Sequence, residues 1–158
     1  MIVKTKKYQL ENKTYRKLAM KNVITSWWWA FLIPIALAAT TFAVPSTPWF
    51  YISAIILTVL YLLFWFIQFT GITQLDQFKV LFQKLAYEID SRQILMKIDA
   101  RQGMPITWDK IKKASKQKDG FLFVISKAQI IYLPWKVFNN QNDIKFVESL
   151  MKRKGLVK

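Results

Sequence analysis

The residue types that perform most enzyme chemistry are missing from this chain. It contains no histidine and no cysteine, which removes the commonest general base, the commonest thiolate nucleophile and most transition-metal ligands. Glu88 and Asp90 are two residues apart and share one face of a predicted strand, as paired catalytic carboxylates can. However, Arg92 and Lys97 follow closely, and they make a solvated, charge-balanced strand face the better interpretation. We therefore expect a protein that is not an enzyme.

No cofactor or metal site is expected either. The four glycines lie at the ends of predicted elements, and none belongs to a loop that could cradle a phosphate. They are Gly71, Gly103, Gly120 and Gly155.

The basic stretch "DKIKKASKQK" is the clearest candidate for binding. Lys110, Lys112, Lys116 and Lys118 share parity, so in a regular strand they would point to one face, whereas Lys113 breaks the pattern. These five lysines are candidate contacts for anionic lipid headgroups. The alternative is a solvated basic face without a ligand. Nucleic-acid binding is not expected, because aromatic residues that stack on bases are missing beside the lysines.

A long stretch without charged side chains indicates a membrane protein. No charged side chain occurs from Asn22 to Leu75, a run of 54 residues. Two apolar stretches, residues 27–44 and 49–69, are each long enough to cross a bilayer as a helix, and residues 45–48 ("PSTP") form a turn between them. Because neither stretch has a polar face, we predict a transmembrane helical hairpin over residues 26–70, with no ion-coupled transport site.

Orientation follows from the basic residues. Seven basic residues and one acidic residue precede the first span, basic residues also predominate after the second, and the turn is uncharged. Both termini are therefore predicted to be cytoplasmic. Tryptophans would anchor the helices at the two lipid–water interfaces, where indoles are favoured. These anchors are Trp27, Trp28, Trp29, Trp49 and Trp65.

Small residues recur at helical spacing within the predicted spans. Such residues allow two helices to approach closely. They serve either packing within the hairpin or self-association, so a homo-oligomer is compatible with the sequence. The candidate packing face consists of Ala36 with Thr40, Ala39 with Ala43, and Ala54 with Thr58.

The remaining segments have distinct patterns. Residues 1–25 form a basic lead-in with a short strand and a helix, and residues 71–84 predict an amphipathic linker along the membrane surface. Residues 85–158 contain five or six short alternating segments followed by an amphipathic helix that Asn142 or Asp143 can cap. The sequence thus predicts an α+β membrane protein, with an antiparallel β domain closed by its C-terminal helix.

Residues 106–138 carry a resemblance to a known family. Trp108 and Ile111 begin the pattern, a hairpin follows, and then comes an aliphatic-Pro-x-basic-x-Phe element that ends at Phe138. This order is similar to that of the YcxB-like family of small bacterial membrane proteins. The lead-in and the hairpin of two spans also match that family in order, so the resemblance covers nearly the whole chain. The resemblance implies a C-terminal domain with a bacterial pleckstrin-homology-like (PH-like) fold and a membrane location, but no established activity. Trp135 stands where that family commonly has a basic residue, so no charge-based role is carried to that position.

Three functions agree with these features. The first is a non-enzymatic protein of the bacterial cell membrane, whose cytoplasmic PH-like domain binds a protein partner or anionic lipid. The second is an immunity protein that protects its host against a membrane-active peptide or toxin. The third is an accessory subunit of a larger membrane complex.

Overall fold

The computed structural model of the protein describes residues 1–43, 49–99 and 102–156. The chain forms two compact units, each described separately below. The first comprises Met1–Tyr15 and Thr73–Lys158, and the second comprises Arg16–Ile72. The predicted turn at residues 45–48 and the end of the first predicted span at Val44 lie outside the described residues.

The first unit contains two antiparallel sheets. In the larger sheet β1 and β2 both pair with β3, which is followed by β4 and β5, and the smaller sheet has the order β6-β7-β8. Alternating burial along β3 and β4 is typical of strands with one face on a core. The strands are β1 Val3–Lys4, β2 Tyr8–Gln9, β3 Lys84–Ile89, β4 Gln93–Lys97, β5 Gly103–Thr107, β6 Lys113–Gln117, β7 Gly120–Val124 and β8 Ile130–Pro134.

The N-terminal residues complete the larger sheet. Val3 pairs with Ile89 and Tyr8 with Leu85, so β1 and β2 lie along the same edge of β3. Between them, the backbone N–H of Thr5 donates to the carbonyl oxygen of Tyr87 at 2.8 Å, and the hydroxyl of Thr5 accepts from the Tyr87 N–H at 2.9 Å. These strands are therefore held by residues about 80 positions away in the sequence.

Helix α5, Gln141–Arg153, packs its apolar side on a core cluster to which both sheets contribute. Val147, Leu150 and Met151 are buried together with β-sheet residues such as Phe123. The predicted cap is displaced: Asn140 precedes the helix, and its side-chain oxygen accepts the backbone N–H of Asp143 at 2.8 Å. An N-cap oxygen reaches the third residue inside the helix, so Asn140 occupies the favourable position. The α+β class, the antiparallel strands and the C-terminal helix are confirmed.

The segment that precedes β3 contributes to the same core. It contains α4, Asp76–Lys79, and a 3-10 turn, Val80–Phe82. Leu81 is buried, and Phe78 and Phe82 pack against the core cluster. Part of the predicted amphipathic linker thus contacts the protein's own core, whereas Leu75 is exposed.

The second unit consists of helices alone. They are α1 Asn12–Ser26, which begins in the first unit, a 3-10 turn Trp28–Phe31, α2 Leu32–Ala43 and α3 Trp49–Ile72.

Only α3 is by itself long and apolar enough to cross a membrane among the residues that the structure describes. The first predicted span is not confirmed by itself: the segment Trp28–Ala43 is long and apolar enough only together with Asn12–Ser26, and the two segments are bent by 72° relative to each other. Pro34 gives a physical reason, because in a continuous helix its ring would clash with the carbonyl group of Ala30. The chain instead makes a 3-10 turn and restarts at Leu32, so that Pro34 falls in the first helical turn, where proline is tolerated.

Candidate functional site

The five candidate lysines do not share one strand. Lys110 ends a 3-10 turn that starts at Trp108, and Lys112 precedes β6. Lys113 and Lys116 belong to β6, whereas Lys118 lies in the turn after it. The predicted single-faced arrangement was wrong, because the 3-10 turn interrupts the two-residue alternation on which it relied.

Lys116 and Lys118 instead border an open groove between the β6–β7 turn and α5. The groove has a volume of about 660 Å³. Three lysines, one glutamate, two glutamines and two apolar side chains form its lining. These residues are Lys116, Gln117, Lys118, Trp135, Gln141, Ile144, Lys145 and Glu148.

Trp135 forms the apolar wall of this groove. Its ring meets that of Phe121 edge-on, with centroids 4.8 Å apart. Its indole N–H donates to the carbonyl oxygen of Lys118 at 2.8 Å, and the ammonium group of Lys116 lies 6.0 Å from the ring centroid. The indole is only partly buried, so its orientation is fixed while part of its surface stays accessible.

Glu148, on the α5 side of the groove, forms ion pairs with two lysines. Its carboxylate accepts from Lys116 Nζ at 2.8 Å and lies 3.5 Å from Lys152 Nζ. The hydrogen bond from Lys116 lowers the pKa of Glu148 below its ordinary value. Lys118 and Lys145 are exposed at the groove. The arrangement offers two exposed cations beside a flat apolar surface, which suits the binding of an anionic group.

The paired carboxylates have structural partners. Glu88 lies 2.8 Å from Lys97 Nζ and 3.8 Å from Lys4 Nζ. Asp90 accepts the backbone N–H groups of Arg92 and Gln93 at 2.6 and 2.7 Å, which closes the turn between β3 and β4. The prediction of a charge-balanced strand face is confirmed for Glu88. Among residues 1–43, 49–99 and 102–156, no group of His, Cys, Asp and Glu side chains could hold a metal ion.

The sequence analysis missed the part of the groove that α5 supplies. Gln141, Ile144, Lys145 and Glu148 are spaced by three, one and three residues, which places them on one side of a helix. This pattern is visible in the sequence. It could not be linked to Lys116 and Lys118, because those residues are more than 20 positions away.

In the second unit the tryptophan run has two different environments. Trp27 stacks on Trp29 with centroids 5.7 Å apart and meets Trp65 of α3 edge-on at 6.3 Å. Trp28 and Trp29 are 63% and 51% exposed, as is Trp49 at 70%. Trp27 therefore packs against Trp65 of α3, whereas Trp28, Trp29 and Trp49 have largely exposed indole rings. Their role as interfacial anchors stays a prediction.

The small residues also divide into two sets. Ala54 is buried, and the hydroxyl of Thr58 donates to its carbonyl oxygen at 2.9 Å. Both line an apolar cavity of about 370 Å³ together with Pro34 and Ala38, so they face α2. The α2 pairs are exposed, and self-association through them stays a prediction. They are Ala36 with Thr40 and Ala39 with Ala43.

The sequence analysis did not identify the structural role of Tyr15. Tyr15 is fully buried, its hydroxyl donates to the carbonyl oxygen of Ala128 at 2.6 Å, and its ring meets Phe82 edge-on at 5.2 Å. Burial raises the pKa of the Tyr15 hydroxyl to about 12. This side chain attaches the start of α1 to the turn between β7 and β8.

The comparison with protein families matches part of the first unit. Residues 89–151 match the model of the YcxB-like protein family. This segment contains β4 to β8, most of α5 and every residue that lines the groove. No curated protein and no solved structure matches the chain. The predicted resemblance is thus confirmed for residues 89–151.

Proposed function

We propose that this chain is a non-enzymatic, multi-pass protein of the bacterial cell membrane. In this proposal two helical spans hold an α+β domain at the inner membrane surface, with both termini cytoplasmic. The domain is PH-like, and its basic groove binds an anionic group of a lipid headgroup or of a protein partner.

The observation that carries the membrane location is the exposure of α3. The helix has 24 residues, about 36 Å of helix, against a bilayer core of about 30 Å. Only 6% of its most apolar 18-residue window is buried inside the protein. A core helix of a soluble protein would bury most of that surface, whereas lipid accommodates it without a protein partner.

The arrangement of the strands supports a PH-like domain. The resemblance implies antiparallel strands closed by a C-terminal amphipathic helix, and here two antiparallel sheets share one core cluster with α5. The groove favours binding over catalysis, because its lining offers cations, amides and an indole, and its one carboxylate, Glu148, is paired with Lys116 and Lys152.

Topology can be tested with single cysteines, because the natural chain has none. We expect the full chain to resist extraction by alkaline carbonate. Ser46→Cys, in the sequence-predicted external turn, should react with a membrane-impermeant maleimide in intact cells. Ser91→Cys, in the β3–β4 turn, should react only after permeabilisation. Extraction by carbonate, or labelling of both variants in intact cells, would contradict the proposed topology.

The groove can be tested by cross-linking in native membranes. A photoreactive amino acid at Gln141 of the full chain should capture a lipid or a protein, which mass spectrometry identifies. The full chain is needed, since residues 72–158 alone lack β1 and β2. Lys118→Gln with Lys145→Gln should reduce the capture, whereas Lys84→Gln with Lys154→Gln, at exposed positions outside the groove, should not. Equal capture by both double variants would argue against this site.

A further inference from the structure

The charged residues of the second unit are confined to a single short segment. Arg16–Ile72 contains three charged side chains, Arg16, Lys17 and Lys21, and all three are cations within six residues of α1. The remainder of the unit is uncharged. Whatever contacts this part of α1 therefore meets a purely positive surface.

Side-chain contacts locate this segment beside the C-terminal turns of α3. The guanidinium carbon of Arg16 lies 5.5 Å from the ring centroid of Phe66, and Arg16 Nη1 lies 3.4 Å from the hydroxyl oxygen of Thr70. Directly after the end of α1, Trp27 contacts Trp65. The part of α1 after Tyr15 therefore lies close to the C-terminal end of α3. Among the described residues, α3 is the only single helix that is long and apolar enough to cross a membrane.

The direction of α1 suits a helix that lies along a membrane surface. It is bent by 72° from the helical segment Trp28–Ala43. If that segment and α3 cross the bilayer, α1 runs closer to the membrane plane than to its normal. The exposed indoles of Trp28 and Trp29 lie directly after the bend, where an interfacial belt is expected.

Around α1 the cations flank an apolar strip. At about 100° per residue, Met20 and Ile24 fall between Arg16 and Lys21 on the helix surface. Ile24 is 37% exposed, and Lys17 and Lys21 are exposed as well. Cations beside exposed apolar side chains are typical of helices that insert shallowly among lipid headgroups. A soluble anion would make no use of the apolar strip.

We propose that Arg16, Lys17 and Lys21 form a binding surface for anionic lipid headgroups, with Met20 and Ile24 in contact with the lipid. The lysines bind headgroup phosphates by charge, and the arginine, held by Phe66 and Thr70, fixes the surface at the end of α3. The surface is separate from the groove of the first unit. It rests on the membrane location proposed above.

The test measures lipid preference of the full chain in vesicles of equal parts phosphatidylglycerol and phosphatidylcholine at low salt. Electron paramagnetic resonance of spin-labelled lipids gives the relative association of the two headgroups with the protein. A lysine near an anionic surface favours association by about fivefold. We expect a preference for phosphatidylglycerol of about this size, weakened at 0.5 M salt because the charges are screened.

Lys17→Gln with Lys21→Gln should lower the preference, because only Arg16 of the three cations remains, whereas Lys17→Arg with Lys21→Arg should keep it. The control pair Lys84→Gln and Lys154→Gln removes the same charge from exposed positions of the first unit and should leave the preference unchanged. An unchanged preference in the glutamine variant, or an equal loss in the control pair, would overturn the proposal. Carbonate extraction of the same proteins separates this outcome from failure of the membrane assignment, because only the latter makes the natural chain extractable.

Discussion

Strand β7 and helix α3 are both rich in large apolar side chains, yet they use them in opposite ways. All five residues of β7 are buried, and Phe121 and Phe123 are fully inaccessible. In α3, by contrast, 24 residues include only two buried ones, Ala54 and Phe69. Hydrophobicity alone therefore does not distinguish a core from a lipid-facing surface. Burial within the fold distinguishes them. Core side chains are covered by other residues of the protein, whereas the side chains of a membrane helix are covered by lipid.

Substitution of phenylalanine by alanine should expose this contrast most strongly. The ring of Phe123 contacts those of Trp108 and Phe121, at 6.1 and 6.3 Å between centroids. Phe123→Ala should lower the free energy of unfolding by about 3–5 kcal/mol, because it leaves a cavity in the core. Phe42→Ala, at a side chain that is 92% exposed, should change it by less than about 0.5 kcal/mol. Denaturant unfolding of the full chain in micelles measures both, and similar losses would break the comparison.

Two glycines give a smaller contrast. A Cβ atom at Gly120 would lie 2.7 Å from the Cα of Pro134 and would clash with the carbonyl oxygen of Leu133, whereas one at Gly71 would meet nothing within 4 Å. Gly120→Ala should therefore destabilise the first unit by about 1–3 kcal/mol through overpacking. Gly71→Ala, inside α3, should stabilise the helix by up to about 1 kcal/mol. Thermal unfolding of the two variants measures both effects. If Gly120→Ala left the thermal stability unchanged, β7 and β8 could move apart at little cost in free energy.

Within the second unit, Trp27 and Trp28 should behave differently. Trp27→Leu removes ring contacts with Trp29 and Trp65, each worth about 1 kcal/mol beyond the buried area. Trp28→Leu changes a side chain that is 63% exposed and that meets no other ring among the described residues. We expect the first variant alone to lower the thermal stability of the detergent-solubilised protein. Equal effects would indicate that the outward indoles also contribute to packing.

The smallest effect should come from Glu148 and depends on pH. Its pKa is lowered in the fold from 4.5, so its ion pair stabilises the protein above that pH and is lost as the pH falls through the lowered value. Glu148→Gln should slightly lower the melting temperature at neutral pH and leave it unchanged in strong acid. Lys116→Gln should reduce the same pH dependence. A variant that loses equal stability at all pH values would show that the charge of Glu148 is not responsible.

The sequence predicted local structure well and long-range placement poorly. The strands from β3 to β8 and helix α5 follow from alternation, turn residues and helical spacing, which are local properties. The pairing of β1 and β2 with β3 was not predicted, because nothing in residues 1–10 specifies a partner some 80 positions away. The same limitation applies to the groove, where β6 and α5 each supply half of the lining.

The break near Trp27 could be anticipated only in part. Pro34 marks a position where a continuous helix is unfavourable, but an uncharged, uniformly apolar run has no pattern that locates a bend. The prediction that the lysines share one strand face failed for a related reason. A three-residue 3-10 turn at Trp108–Lys110 changes which side each later residue occupies.

Lipid exposure of α3 can be measured directly with spin labels on single cysteines in vesicles. Leu57→Cys lies near the middle of α3 and is 45% exposed, and Ser149→Cys lies on the exposed side of α5. The label at residue 57 should collide readily with molecular oxygen, which concentrates in lipid, and rarely with a water-soluble nickel chelate. The label at residue 149 should show the reverse. Frequent collision of the nickel chelate with residue 57 would contradict the central claim that the apolar surface of α3 faces lipid.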